Sequence, residues 1–414
     1  MPINFAYDMG VGTAYCSEYV HNHFNGKWYP KNGQNEHFIY DYFIPIQTIF
    51  EKNNYQINEI TLSEALSHNN PFFYVLTFRN FKKSLLNTTD NLFNSLPNEL
   101  IDRINNNQCI LILNDAYESN KYDNFIMFRL IKKLVEKNIN IKKVILITGT
   151  EYNTSYNDFI KIVFWQSFET SLKFIESENK NTENIPKRFL CLNRQKRDHR
   201  YYFVNEMYKR KLLDNFNVSL NDFKNISEVK VASNNILAPL LDKDESFKEL
   251  QKHLPYTLDT KVFEHWDYFK LNNNLKNYGL MYIATETLFS DDIDHLFITE
   301  KTFRPILLKM PFIVIGQPYT LKRLQELGYK TFSNLWDESY DSEVDSLKRM
   351  QKICDLVEYL SNLSMTEFMK IITDANGILD HNFTILKNNQ SEISLIKFLI
   401  NQYEAIDEGA NLEF

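Results

Sequence analysis

Four cysteines in 414 residues are too few and too scattered to organise this chain. Cys16, Cys109, Cys191 and Cys354 match no zinc or CxxC spacing, so free thiols in a reducing compartment are expected. No apolar run approaches the ~20 residues that a membrane-spanning helix needs. Met1–Met9 lacks the basic start and long apolar run of a secretory signal. Basic residues are fewer than acidic ones, 46 against 53, for a formal net charge of −7. That argues against a protein that coats nucleic acid and leaves room only for a local basic patch. Internal repeats and long low-complexity tracts are also missing. The sequence therefore predicts a soluble protein with no membrane partner in a cytoplasm. Asn, Ile and Lys are abundant, a coding bias of AT-rich genomes, many viral ones included, so that compartment extends to the cytoplasm of an infected host cell. Oligomeric state is left open.

What the chain has instead is length and aromatic residues. With 32 Phe and 24 Tyr it can build large cores, and 414 residues exceed one typical core, so two domains are expected. Apolar runs at Ile3–Tyr7, Phe72–Phe78, Cys109–Leu113 and Val144–Thr148 read as buried strands. Between the last two, Phe125–Lys137 has helical spacing. Strands alternating with helices imply a parallel sheet. Gly10 and Gly12 follow the first strand but lack the third glycine of a dinucleotide fingerprint. Ser177–Pro186 is polar and ends in proline, which predicts a linker between residues 1–180 and 185–414.

The second half repeats the alternation. Arg188–Leu192 predicts a strand, Asn193–Arg200 a basic loop, and Tyr201–Leu213 a helix. Met281–Ala284 and Pro311–Ile315 predict two more buried strands. Helices are expected near Ser246–His253 and over Tyr319–Leu327, Val344–Asn362, Thr366–Ala375 and Ser391–Tyr403, with the rest of Ser219–Asn277 as loop.

Between Met281–Ala284 and Pro311–Ile315 lie Glu286, Asp291, Asp292, Asp294, His295, Thr299, Glu300, Lys301 and Arg304. Such loops sit at the carboxyl ends of parallel strands, where α/β proteins bind ligands. Thr299-Glu300-Lys301 reads as a capped helix start whose N–H groups, with Lys301 and Arg304, suit a phosphate. Pro305 predicts a kink after the first turn. Read alone, the same three residues fit an ordinary capped helix with a solvated face. The basic loop could hold a diphosphate through N–H groups and Arg forks, bind nucleic acid, or simply be solvated.

On the first domain, acids follow the strand ends: Asp8, Asp115, Glu118 and Glu151. Each could line a cleft wall or merely cap the next helix. As a general base Glu118 ranks first and Asp115 second. Asp292-Ile293-Asp294 has the spacing of a carboxylate pair for Mg²⁺ or Mn²⁺, although its late position favours a surface loop.

FLCLNRQKRDHRYYFVNEMYK and ATETLFSDDIDHLFITEKTFRPILLKMPFIVIGQP resemble the nucleotide-binding half of fucosyltransferase-like enzymes. The resemblance implies an α/β fold of two Rossmann-like domains facing a cleft (GT-B). It implies a glycosyltransferase that moves a sugar from a nucleotide-diphosphate donor, GDP-linked in the family, without metal or further cofactor. The acceptor is left open among a glycan, a protein, a small molecule and a modified nucleobase of DNA. Carried over, Asn193 follows the strand, Arg200 holds the diphosphate, Glu286 lies near the sugar or nucleotide, Glu300 meets the ribose and Lys301 the phosphate. The sequence departs from the family pattern at Arg304-Pro305, and at Gly316, where Gln317 precedes Pro318. The competing expectation is a non-catalytic carbohydrate- or nucleic-acid-binding protein on a transferase scaffold.

Overall fold

The computed structural model describes residues 2–7, 46–77, 85–86, 93–94, 96–116, 123–150, 159–173, 187–223, 226–230, 236–258, 273–389 and 391–407. The chain divides into two compact units: Met1–Thr170 together with Gln390–Phe414, and Ser171–Asn389. Each is an α/β unit built on a parallel sheet.

The first unit has six strands: β1 (Ile3–Tyr7), β2 (Ile57–Thr61), β3 (Phe72–Thr77), β4 (Cys109–Asp115), β5 (Val144–Thr148) and β6 (Lys161–Phe164). Their order across the sheet is β2-β1-β3-β4-β5-β6, all parallel. In β4 every residue is buried, because a central parallel strand is covered on both faces and needs an unbroken apolar run. The Asn124–Glu136 helix is capped by Asp123, whose carboxylate accepts the Ile126 N–H at 2.9 Å. It buries Ile126, Met127, Leu130 and Leu134, at helical spacing, in the same core as Leu111 and Leu113.

The second unit has four strands: β7 (Lys187–Asn193), β8 (Phe216–Leu220), β9 (Gly279–Thr285) and β10 (Phe312–Ile315), in the order β10-β9-β7-β8. The chain winds outward from β7 to β8, then returns to the other side of β7 for β9 and β10. The reversal between β7 and β9 is a switch point, where loops part at the carboxyl edge and leave a crevice.

The two units are bounded differently from the expected division at both ends of the second unit. The linker expected at Ser177–Pro186 lies outside the described residues, and the first partition falls between Thr170 and Ser171. The closing helix, expected in the second domain, runs over Ser391–Asp407 and belongs to the first unit. Leu395, Ile396, Leu399, Tyr403 and Ile406 form its buried face. The Tyr403 hydroxyl donates to Pro71 O at 2.8 Å and accepts from Asn4 Nδ2 at 3.0 Å, and its ring lies 5.4 Å from Phe73. At the seam of the second unit, Lys173 Nζ donates to Asn389 O, and Lys387 Nζ donates to Lys173 O at 2.9 Å. The two ends of that unit are thus tied side by side. Among the described residues no helix is long and apolar enough to cross a membrane.

Candidate functional site

The carboxyl edge of β7 and β9 brings together Asn193, Arg200, Glu286 and the start of the Glu300–Leu307 helix. Asn193 ends β7 and ties it to β9. Its Oδ1 accepts from Thr285 Oγ1 at 2.8 Å, and its Nδ2 donates to Cys191 Sγ at 3.2 Å. The Asp198–Lys209 helix begins earlier than its apolar spacing suggests, so His199 and Arg200 lie in its first turn. Its leading N–H groups are already engaged: Asp198 N with Lys230 O, His199 N with Asp198 Oδ1, Arg200 N and Tyr201 N with Arg197 O.

Arg200 is 1% exposed. Its Nη1 donates to Gln195 O, and its Nη2 to Thr285 O and Glu286 O, each at 3.1 Å. The guanidinium is therefore a clamp between the β7 loop and the end of β9. His199 is fully buried, donates from Nε2 to Glu286 O at 3.0 Å, and stacks on Phe289 with ring centroids 5.5 Å apart. Burial pushes its imidazole down to about 4, against the pull of neighbouring Asp198.

Glu286 is also buried and does not face a crevice. Its carboxylate accepts from Thr299 N (3.0 Å), Thr299 Oγ1 (2.6 Å), Thr302 Oγ1 (2.6 Å) and Thr287 N (3.1 Å). It is an anionic cap, reached from the end of β9, for the start of the Glu300–Leu307 helix. The helix passes through Pro305 and ends at Leu307. Glu300 is 4% exposed and touches Lys301 Nζ at 2.6 Å. Burial alone would raise its carboxyl, but the charges of Lys301 and Arg304 hold it below the usual range. Arg304 is half-buried one turn along.

Two cations from different turns meet at Thr287, the second residue beyond β9. Arg197 Nη1 donates to Thr287 O at 2.7 Å, and Lys301 Nζ approaches Thr287 Oγ1 at 3.4 Å. Both side chains are partly exposed. The sequence marks the basic loop but not Arg197 within it; only the folded unit shows that Arg197 reaches past the end of β9 to Thr287 while Arg200 holds Thr285 and Glu286.

The acidic segment that follows is held from behind. Gln317 Oε1 accepts from Phe297 N at 3.0 Å, while its Nε2 donates to Ser290 Oγ and Asp292 O, both at 3.3 Å. Arg349, from the Ser346–Asn362 helix, is 1% exposed and grips Phe289 O, Ser290 O and Gly316 O. Nothing in the sequence singles out Arg349 within the helix expected over Val344–Asn362. Asp292 Oδ1 accepts from Asp294 N at 3.1 Å, closing a local turn in which Asp294 is exposed. Among the described residues no group of three or more His, Cys, Asp or Glu side chains could hold a metal ion.

In the first unit, β1, β4 and β5 are parallel, so their carboxyl ends share one edge. Asp115 closes β4 there and is 1% exposed. Beside it β5 runs into Gly149, where an added Cβ would stand 1.9 Å from Ala116 O, so only glycine lets the two turns approach. Asp8, Glu118 and Glu151 lie outside the described residues. The helix cap considered for Glu118 is provided by Asp123.

No protein-family model matches this chain, and no curated protein is significantly similar to it.

Proposed function

We propose that the chain is a glycosyltransferase of the two-domain GT-B type that needs no metal. It moves a sugar from a nucleotide-diphosphate donor, GDP-linked by the resemblance, to a hydroxyl acceptor. One observation carries this reading. Arg197 and Lys301, from the two turns that flank the switch point, converge on Thr287. Phosphate oxygens are the ligand chemistry that paired cations at such a crevice suit. As the bond from the anomeric carbon to the diphosphate breaks and the acceptor oxygen replaces it, negative charge builds on the leaving group. Fixed cations stabilise that charge without rearranging. Arg200 supports this cradle by holding the loop on which Arg197 sits, and Asn193 and Glu286 set the strand and helix beneath it. Glu300, freed from Lys301 when phosphate takes the ammonium, reaches the ribose. The acceptor proton goes to a carboxylate of the first unit, Glu118 ahead of the buried Asp115.

The test is a thermal-shift screen of nucleoside diphosphates and their sugars without added metal. One base should raise the Tm; a ligand at 100 times its Kd adds about 2.7 kcal/mol. Arg197→Ala and Lys301→Ala should each cost on the order of 2–3 kcal/mol of that binding, roughly 30–150-fold. Glu118→Gln should spare binding and lower transfer about 10²–10⁴-fold. No shift with any nucleotide, or wild-type binding by both cation variants, sinks the reading. Transfer that EDTA abolishes and Mn²⁺ restores moves the chemistry to Asp292 and Asp294.

A further inference from the structure

We propose that Arg349 is a positioning residue for the diphosphate subsite at Thr287, acting through the six residues that close β9 and turn away from it. This rests on the reading of the site given above. Five of the six main-chain carbonyls from Thr285 to Ser290 are held by cationic or imidazole side chains. Arg200 takes Thr285 O and Glu286 O, His199 takes Glu286 O, Arg197 takes Thr287 O, and Arg349 takes Phe289 O and Ser290 O. Three of these side chains come from one side, the β7 loop and the first turn of the Asp198–Lys209 helix. Arg349 alone grips from the other, out of the Ser346–Asn362 helix.

Arg349 has five N–H donors, and five carbonyls accept from it: Gly316, Glu343, Val344, Phe289 and Ser290, at 2.7–3.3 Å. No donor remains for a ligand, so its influence on the subsite passes through other residues. Its guanidinium carbon lies 4.4 Å from the centre of the Phe289 ring, and the same ring stacks on His199. Phe289 thus joins the two grips. Among the described residues its ion-pair partner is Asp291, whose Oδ1 stands 3.9 Å away. Burial draws the guanidinium down to about 10. A buried charge so thinly paired is poor value as a source of stability, since apolar packing of similar volume serves as well. What only the planar fork supplies is simultaneous fixation of three chain segments, which keeps Thr287 in register with Arg197 and Lys301.

Arg188 supplies the control. At the opposite end of β7 it donates to Leu360 O at 3.1 Å and Leu363 O at 2.7 Å, and lies 5.0 Å from the Phe368 ring. Arg188→Lys should therefore disturb the same unit in the same way, away from the switch point. The experiment uses the full chain and three probes: GDP, guanosine and inorganic diphosphate, titrated by calorimetry, with Tm measured alongside. Arg349→Lys should weaken GDP and diphosphate about tenfold or more and leave guanosine within about twofold, because sub-ångström registry is lost only where phosphate binds. Phe289→Leu keeps every carbonyl acceptor, removes the joining ring and should do the same; it decides the matter if Arg349→Lys fails to fold. Arg188→Lys should lower Tm and leave all affinities within about twofold. Wild-type protein that binds neither GDP nor diphosphate overturns the phosphate reading and this inference together. Wild-type binding that persists in Arg349→Lys and Phe289→Leu, or falls equally in Arg188→Lys, overturns this inference alone.

Discussion

His199 shows what burial asks of a single side chain at this edge. Its Nε2–H is committed to Glu286 O, so the neutral ring leaves Nδ1 as a lone pair, and that nitrogen has no hydrogen-bond partner. The folded imidazole titrates at about 4, whereas an unfolded one titrates near 6.5. Below the unfolded value the denatured chain binds a proton that the native chain refuses. The contribution of His199 is therefore complete above pH 6.5, fades as pH falls from there to about 4, and changes no further below. Across that window it amounts to about 3 kcal/mol. Urea midpoints from pH 7 to pH 4 should fall more steeply for wild type than for His199→Gln. Parallel curves would mean that the native ring accepts the proton, as a His199–Asp198 ion pair would allow.

Among the elements, the Glu300–Leu307 helix depends on a carboxylate outside it. Glu286 takes four hydrogen bonds, three of them from Thr299 and Thr302 in the first turn. In Glu286→Gln an amide NH₂ replaces one acceptor oxygen and meets buried donors. The loss of charge-assisted bonds should cost about 3 kcal/mol. Amide exchange should quicken at Thr299 to Thr302 before it changes in β9. Unaltered exchange there would show the helix start to be held by its own Thr299 cap.

The same scale explains what the sequence reveals. Central strands read clearly: β4, β5, β7 and β9 are covered on both faces and must be nearly unbroken apolar runs. The strands that escape sequence reading are β2, β6 and β8, each at the edge of its sheet. An edge strand has a neighbour on one side only, and INEIT, KIVF and FNVSL are short and mixed, carrying too little pattern to stand out. The site divides in the same way. Lys301 and Glu300 lie in a legible capped helix start. The inward turn of Arg200, the capping by Glu286 and the reach of Arg349 depend on strands and helices far apart in sequence.

At the scale of the whole chain, the second unit is an insertion within the first. Its ends are tied through Lys173, Lys387 and Asn389, so residues 171–389 have the closed geometry of a free domain. Expressed alone they should unfold cooperatively and keep native-like near-UV circular dichroism. Residues 1–170 alone lack the helix that covers Pro71, Phe73 and Asn4, and should be molten until a short linker joins them to 390–414. A cooperative transition in 1–170 by itself would show that Ser391–Asp407 only decorates a finished core.

That closing helix also sets an order of events during synthesis. On the ribosome an amino-terminal domain ordinarily folds first. Here the first unit must wait for Ser391–Asp407, made only after all of Ser171–Asn389. The second unit is thus finished while the first is still open, with six strands emerged and their covering helix not yet translated. Chaperone demand during translation belongs to the first unit, and a nucleotide that binds as proposed would find the second unit already folded around its site.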